Sequence, residues 1–407
     1  MPKTKRTLWL LTIGAFYAFF IFGFADNMKG ATIPALLSDL HLSYSQGGTI
    51  LLGAYIGFLI ATLLTGILAD LAGKKAVIFV AGAALLIGIA GYSTFSSFWL
   101  LMAAMLVLGV GIGSIELGGN AMIVELHGAD RGRFLNLLAV FHGLGSMVAP
   151  FYAGQMLADG ASWRLVYRLA LIPVVLLPAY FLFLRYPHQR QAPRANGGLQ
   201  KVWRSAVSSE MACFYLLIGA YCAAEIGIGS WIVEFLQKAK GQSVIASSLY
   251  LSLYFGLIML GRLLGSFVVE RAGYFRIMLL AASASILCLT LGVFGPPALA
   301  PLVPLTGLFF SVIFPTTTAA VSGRHQENVG TLLGLLFTFA GIGGMVGPWM
   351  VGVAGDALGI QPGFGTLISM CVLMVAALTA LTRLTAQRKA GAPSERQPAI
   401  CETSVAE

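Results

Sequence analysis

The chain has 407 residues, 58% of them hydrophobic and only 10% charged, and 25 Lys and Arg against 16 Asp and Glu give a net charge of +9. So little polar surface cannot cover a soluble globule, which excludes a soluble enzyme or binding domain. Nor does the basic excess point to nucleic acid, because the cations flank apolar runs rather than forming one patch. A helix crossing hydrocarbon needs about 20 predominantly apolar residues, since its backbone polar groups must be satisfied within the segment. Such runs are predicted near 8–37, 44–69, 76–94, 98–126, 134–158 and 166–186, then near 208–236, 244–269, 275–294, 299–321, 329–355 and 364–384. The first continues past Gly30 without a small-residue cleavage pattern, unlike a signal peptide.

The expected fold class is an all-α membrane protein with twelve transmembrane helices in two six-helix halves. An N-terminal bundle covers 1–186, a basic cytoplasmic linker 187–206, a C-terminal bundle 207–385 and a disordered cytoplasmic tail 386–407. Nineteen of the 25 Lys and Arg fall on the side of the membrane that carries both termini, and only Arg164, Arg168, Lys238 and Lys240 on the other. By the positive-inside rule both termini are cytoplasmic, which requires an even number of spans. The setting expected is a bacterial inner membrane. The five cysteines are scattered singly, with no metal-ligand spacing. The absence of a Walker motif and of a Gly-x-Ser-x-Gly elbow removes ATP hydrolysis and esterase chemistry, so any transport must draw on a gradient.

An internal repeat divides the chain. Gly143, Gly145, Met147, Val148, Pro150 and Gly154 recur as Gly341, Gly343, Met345, Val346, Pro348 and Gly352, each displaced by 198 residues, and Gly109 meets Gly307 at the same displacement. Parallel six-span repeats with helices interrupted by Gly or Pro place a site between halves that rock about it. Alternatively, these glycines serve only close helix packing.

The segment Gly66-Ile-Leu-Ala-Asp70-Leu-Ala-Gly73-Lys74-Lys75 lies where the second span ends. It resembles the loop motif of the major facilitator superfamily, with a weaker copy at Gly265-Ser-Phe-Val-Val-Glu270-Arg271-Ala-Gly273, where the acid arrives one residue late. The resemblance implies a major facilitator fold, with Gly66, Asp70, Gly73, Lys74, Glu270 and Arg271 forming a latch that breaks when the halves rock.

Ionisable side chains at mid-bilayer are costly, so each is a functional candidate. Asp26, Glu116 and Glu225 stand deep in the first, fourth and seventh spans, and Asp26 and Glu225 occupy nearly equivalent places in the two halves. Burial disfavours the charged form of a carboxyl, which suits such groups to carrying protons. Lys29 lies three residues from Asp26 and offers it a structural partner on the same helix face. Glu116 has no cation within a turn and is the leading proton carrier. His142 is a candidate relay or a packing residue. Asn27, Asn120, Asn136 and Gln155 offer amides to a hydroxylated ligand, while Trp231 and Tyr221 either stack on a sugar ring or pack against neighbours.

Several stretches narrow the resemblance to the fucose, galactose and glucose proton symporter branch. They are Phe22 to Gly30 with Pro34, Glu116-Leu-Gly-Gly-Asn120, Arg133-Phe-Leu-Asn136 leading to His142 and Pro150, Glu225 to Trp231, and Gly261-Arg-Leu-Leu-Gly265. That resemblance implies uptake of a monosaccharide with a proton, the branch's span-four glutamate falling on Glu116 and its asparagine on Asn120. The branch's span-one aspartate aligns with Gly30, and Asp26, a turn earlier, is expected to replace it. Proton coupling is therefore assigned to Glu116, Asp26 and His142, and substrate binding to Asn27, Asn120, Glu225, Trp231 and Tyr221. No cofactor is expected beyond the coupling cation, a proton. The expected partners are a small polar solute and the lipid bilayer, and the chain is expected to act as a monomer. The rival readings are a proton-driven exporter of drugs or metabolites and a non-transporting membrane sensor.

Overall fold

The computed structural model describes residues 5–184, 206–324 and 329–391. The basic linker lies almost wholly outside them, as does the tail beyond Gly391. Helices α1 (Lys5–Leu40), α2 (Tyr44–Ala72), α3 (Lys74–Thr94), α4 (Phe98–His127), α5 (Arg131–Ala158) and α6 (Trp163–Leu182) form the first half. The second contains α7 (Ser209–Lys240), α8 (Val244–Ala272), α9 (Tyr274–Phe294), α10 (Leu302–Phe310), α11 (Ile313–Arg324), α12 (Val329–Leu358), α13 (Ile360–Gly365) and α14 (Leu367–Gly391). Among the described residues, twelve segments are long and apolar enough to cross a bilayer. The tenth is broken between α10 and α11 because Pro315 supplies no N–H and its ring crowds the carbonyl four residues earlier, at Ser311. The last helix runs to Gly391, so residues 386–391, expected in the tail, are helical.

The repeat seen in sequence is a repeat of contacts. Within the halves α1 packs on α5 as α7 packs on α12, and α2 packs on α4 as α8 packs on α10. A Cβ on Gly145 would overlap the carbonyl oxygen of Phe20, and one on Gly343 that of Gly219, a pair displaced by 198 and 199 residues. Gly109 lies likewise on the carbonyl of Ala54 and Gly307 on that of Tyr254. These glycines are where backbones touch, the use membrane helices make of small residues. Between halves, α2 lies on α12 and, by the same symmetry, α8 on α5, with α1 meeting α7 along the middle.

The two ends of the bundle differ. At the end opposite the termini, here the far end, Gly48 meets the backbone of Pro348 and Trp349, Gly352 that of Tyr44, and Gly154 the side chain of Ser248. At the terminal end, a Cβ on Gly66, Gly132, Gly323 or Gly334 would meet nothing within 4 Å. The halves are in backbone contact at the far end, whereas towards the terminal end a cavity of about 550 Å³ separates α4 and α5 from α11.

Gly145→Val and Gly343→Val are each expected to cost about 1–3 kcal/mol, the range for overpacking a close contact, because a backbone carbonyl cannot rotate away. The check is thermal unfolding in detergent, where an unchanged midpoint would contradict the packing described.

Candidate functional site

Five ionisable side chains meet at mid-height, where the helices of both halves converge. On α1, Asp26 and Lys29 form an ion pair one turn apart, Lys29 being 5% exposed. Lys29 also reaches across to α2, donating to the Tyr55 hydroxyl at 2.9 Å with its Nζ 4.6 Å from the ring centre. On the other side, Glu225 of α7 faces Arg262 of α8 at 4.0 Å. Glu116 of α4 is partly buried, within electrostatic reach of Asp26 and Arg262. Glu225 also lies within electrostatic reach of Asp26, so acids from three helices and both halves gather around the pair of Asp26 and Lys29, the central chamber.

Glu116 differs from the other two acids. Among the described residues it has no hydrogen bond and no ion pair, whereas Asp26 has Lys29 and Glu225 has Arg262. One turn along α4 towards the terminal end, on the same helix face, lies Asn120. Asn120 lines a cavity of about 550 Å³ between the halves, together with Asn136 of α5 and Phe314, Thr318 and Ser322 of α11. Val124, Leu135, Pro315 and Ala319 complete the lining, so four of its nine residues are polar, and the cavity lies in the terminal half of the bundle.

The remaining candidates fall in several places. Asn27 spends both amide hydrogens within the first half, donating to the Gly23 carbonyl at 2.9 Å and the Ser146 hydroxyl at 3.0 Å, which leaves its carbonyl oxygen as an acceptor. The His142 ring lies against Phe22 at 4.3 Å between centroids, in the field of Asp26 and Arg262. Tyr221 and Trp231 are wholly buried. The Tyr221 ring packs edge-on to Phe310, while Trp231 donates its Nε1–H to the Pro348 carbonyl at 2.9 Å and sets its ring edge-on to Tyr44. Of the two readings of these rings, packing is the one seen in this conformation: neither presents an open face to the cavity, and Trp231 belongs to the far-end closure.

The loop motifs supply their glycines for a visible reason. Gly73 turns the chain from α2 to α3 at φ +84° and Gly273 from α8 to α9 at φ +85°, a region side chains rarely adopt. A Cβ on Gly66 would meet nothing within 4 Å, and Arg271 is exposed. The side chains of Asp70, Lys74 and Glu270 lie outside the described residues.

Sequence reasoning passed over Tyr55 and the pairing of Arg262 with Glu225. Arg262 was visible as a cation inside an apolar run, the signal that singled out the acids; Tyr55 carried no signal, being a single tyrosine in an apolar helix.

A sequence profile of the Major Facilitator Superfamily matches residues 15–310. The chain belongs to this superfamily. It is a transporter, not an enzyme. A putative glucose/galactose transporter of Helicobacter pylori strain J99 is 25% identical over 390 residues, covering 88% of this chain and 91% of the relative. A glucose/galactose transporter of Brucella abortus biovar 1 is 25% identical over 375 residues, covering 85% and 88%. Among solved structures, a bacterial homologue of the human lysosomal transporter Spinster, in an inward-facing and unoccupied conformation, superposes with a TM-score of 0.81 at 13% identity, covering 94% of this chain and 98% of that one. That likeness speaks for the fold.

Lys29→Met leaves Asp26 as an uncompensated buried charge and is expected to destabilise the protein by about 3–5 kcal/mol. The double variant Asp26→Asn with Lys29→Met is expected to recover most of that loss. Thermal unfolding of the two variants checks it, and additive losses would contradict a coupled pair.

Proposed function

We propose that this transporter takes up a monosaccharide together with a proton by alternating access. Its glucose/galactose transporter relatives support the sugar, and Asn120, Asn136, Thr318 and Ser322 of the cavity offer donors and acceptors to sugar hydroxyls, beside an apolar remainder that can pack on a ring. The observation that carries the coupling is Glu116, a carboxyl without a partner in a chamber where the other charges are paired. A carboxyl in that position holds a proton while water is kept away and releases it when the cavity hydrates. Asn120, one turn below, and the free carbonyl of Asn27 would hold sugar hydroxyls. Glu225, loosely held by Arg262, can turn an oxygen to a hydroxyl donor. Asp26 and His142 would tune the field at Glu116, and the loop-motif latch at Asp70, Lys74 and Glu270 would close the terminal end. The basic flanks support a cytoplasmic setting for that end and both termini. The state described then opens to the cytoplasm, and uptake requires the far end to part in turn.

The test is proton entry into proteoliposomes carrying a pH-sensitive dye, on addition of glucose, galactose and other hexoses. The wild type is expected to acidify with its substrate, and one pH unit should sustain about tenfold accumulation at one proton per sugar, since 1.4 kcal/mol is a factor of ten. Glu116→Gln is expected to abolish accumulation while retaining sugar exchange at equal pH. Full gradient-driven accumulation by Glu116→Gln would remove the proton assignment.

A further inference from the structure

Nine residues beyond Glu225 on α7, towards the far end, lies another acid that the central chamber does not use. Glu234 is 3% exposed. Its Oε1 accepts a hydrogen bond from the Tyr44 hydroxyl at 3.0 Å, across the boundary between the halves. Its Oε2 is buried, and no protein donor reaches it. Tyr44 opens α2 and is fixed on all sides. Its ring stands edge-on to Trp231, with centroids 5.7 Å apart, and its N–H donates to Asp356 of α12 at 2.8 Å. The Ser45 N–H donates to the same carboxylate at 2.8 Å, and the Ser45 hydroxyl joins it. A Cβ on Gly352 would overlap the Tyr44 carbonyl, so the backbones are in contact here too.

The two carboxyls of this closure have opposite surroundings. Asp356 is exposed and receives three donors, two of them backbone N–H groups at a helix start, which is how an ionised carboxylate is held. Glu234 is buried with one neutral donor and one bare oxygen, a setting that serves an ion badly. A neutral acid there leaves a single hydroxyl unmet, which is far cheaper than an unmet charge. The titratable groups facing it are few. Tyr44 comes from α2, and Lys238, one turn on along α7, acts on it from an exposed position. Asp356 lies on the other side of Tyr44. Asp39, in the last turn of α1, is bound to Trp163 and Arg164 instead. Helix α13 brings Gln361, which donates to the Val293 carbonyl, and no charge.

We propose that Glu234 is a second proton-binding site, separate from the central chamber: the far end closes with Glu234 protonated and bonded to Tyr44, and opens as water reaches the carboxyl and takes the proton away. The proton comes from the solution on the far side and returns to it. It therefore does not cross the membrane or enter the coupling stoichiometry, but it makes closure depend on the pH of that side. Closure binds the proton, so a fall in pH favours the closed far end and a rise favours the open one.

The test needs no substrate, so it stands whether or not the sugar reading holds. Spin labels at Asp159→Cys and Leu358→Cys, exposed far-end positions on opposite halves, report far-end separation by pulsed-dipolar spectroscopy. The full chain is reconstituted in nanodiscs with its five native cysteines replaced by alanine. On going from alkaline to acid buffer, the short-distance population is expected to rise. Glu234→Gln and Glu234→Leu, two neutral replacements of different chemistry, should both stay closed throughout. Asp356→Asn should raise the open population at every pH while leaving the shift with pH in place. A distribution that ignores pH without these changes, or Glu234 variants that shift like the unaltered residue, would overturn the proposal.

Discussion

A charge placed inside a membrane-crossing bundle must find its partner within the protein, because lipid offers none. The central chamber holds three acids, Asp26, Glu116 and Glu225, and two cations, Lys29 and Arg262. Two acids have cations at hand and one does not. The excess cannot be met by rotating a side chain, since Lys29 is already shared between Asp26 and the Tyr55 hydroxyl and Arg262 already faces Glu225. A proton is the smallest cation that can balance the third acid, and a site that needs one in the dry state can give it up in the wet state. This makes Glu116 a coupling residue in our account, and it ties the chemistry to whether water reaches the chamber.

Water access is set by the two ends of the bundle, and these are built differently. The far end is shut by backbone contacts at Gly48 and Gly352, by the three donors on Asp356 and by the Tyr44, Trp231 and Glu234 cluster. Towards the terminal end a cavity opens between α4, α5 and α11. Within each half, glycines on the carbonyls of Phe20, Ala54, Gly219 and Tyr254 hold helices at contact distance. Stiff halves are what allow a change at the chamber to become a change at the ends, since close-packed interiors transmit displacement rather than absorb it.

Much of this was legible in the sequence, and for definite reasons. Apolar runs of spanning length gave the helices, because a bilayer leaves few alternatives. The 198-residue repeat gave the two halves and, in Gly145 with Gly343, the contacts themselves. Acids in apolar runs announced the chamber. Pairings between distant helices were not legible, because they carry no period: Glu225 with Arg262 requires knowing that α7 and α8 turn those faces to each other, and Tyr44 with Glu234 joins residues 190 positions apart. The choice between the two readings of Trp231 was not legible for a related reason. An indole near an acid looks like a stacking surface until its N–H is seen to be engaged by Pro348. The last helix outran its expected end because Arg and Lys in its final turns do not oppose a helix leaving the membrane.

The central claim is that the far end must open and close for each solute carried. The most direct measurement is transport of glucose or galactose by a cysteine-free chain carrying Ser45→Cys and Asp356→Cys, whose native side chains are hydrogen-bonded across the halves. Oxidation to the disulfide is predicted to stop transport and reduction to restore it. Transport by the fully cross-linked protein at the rate of the reduced form would contradict the account.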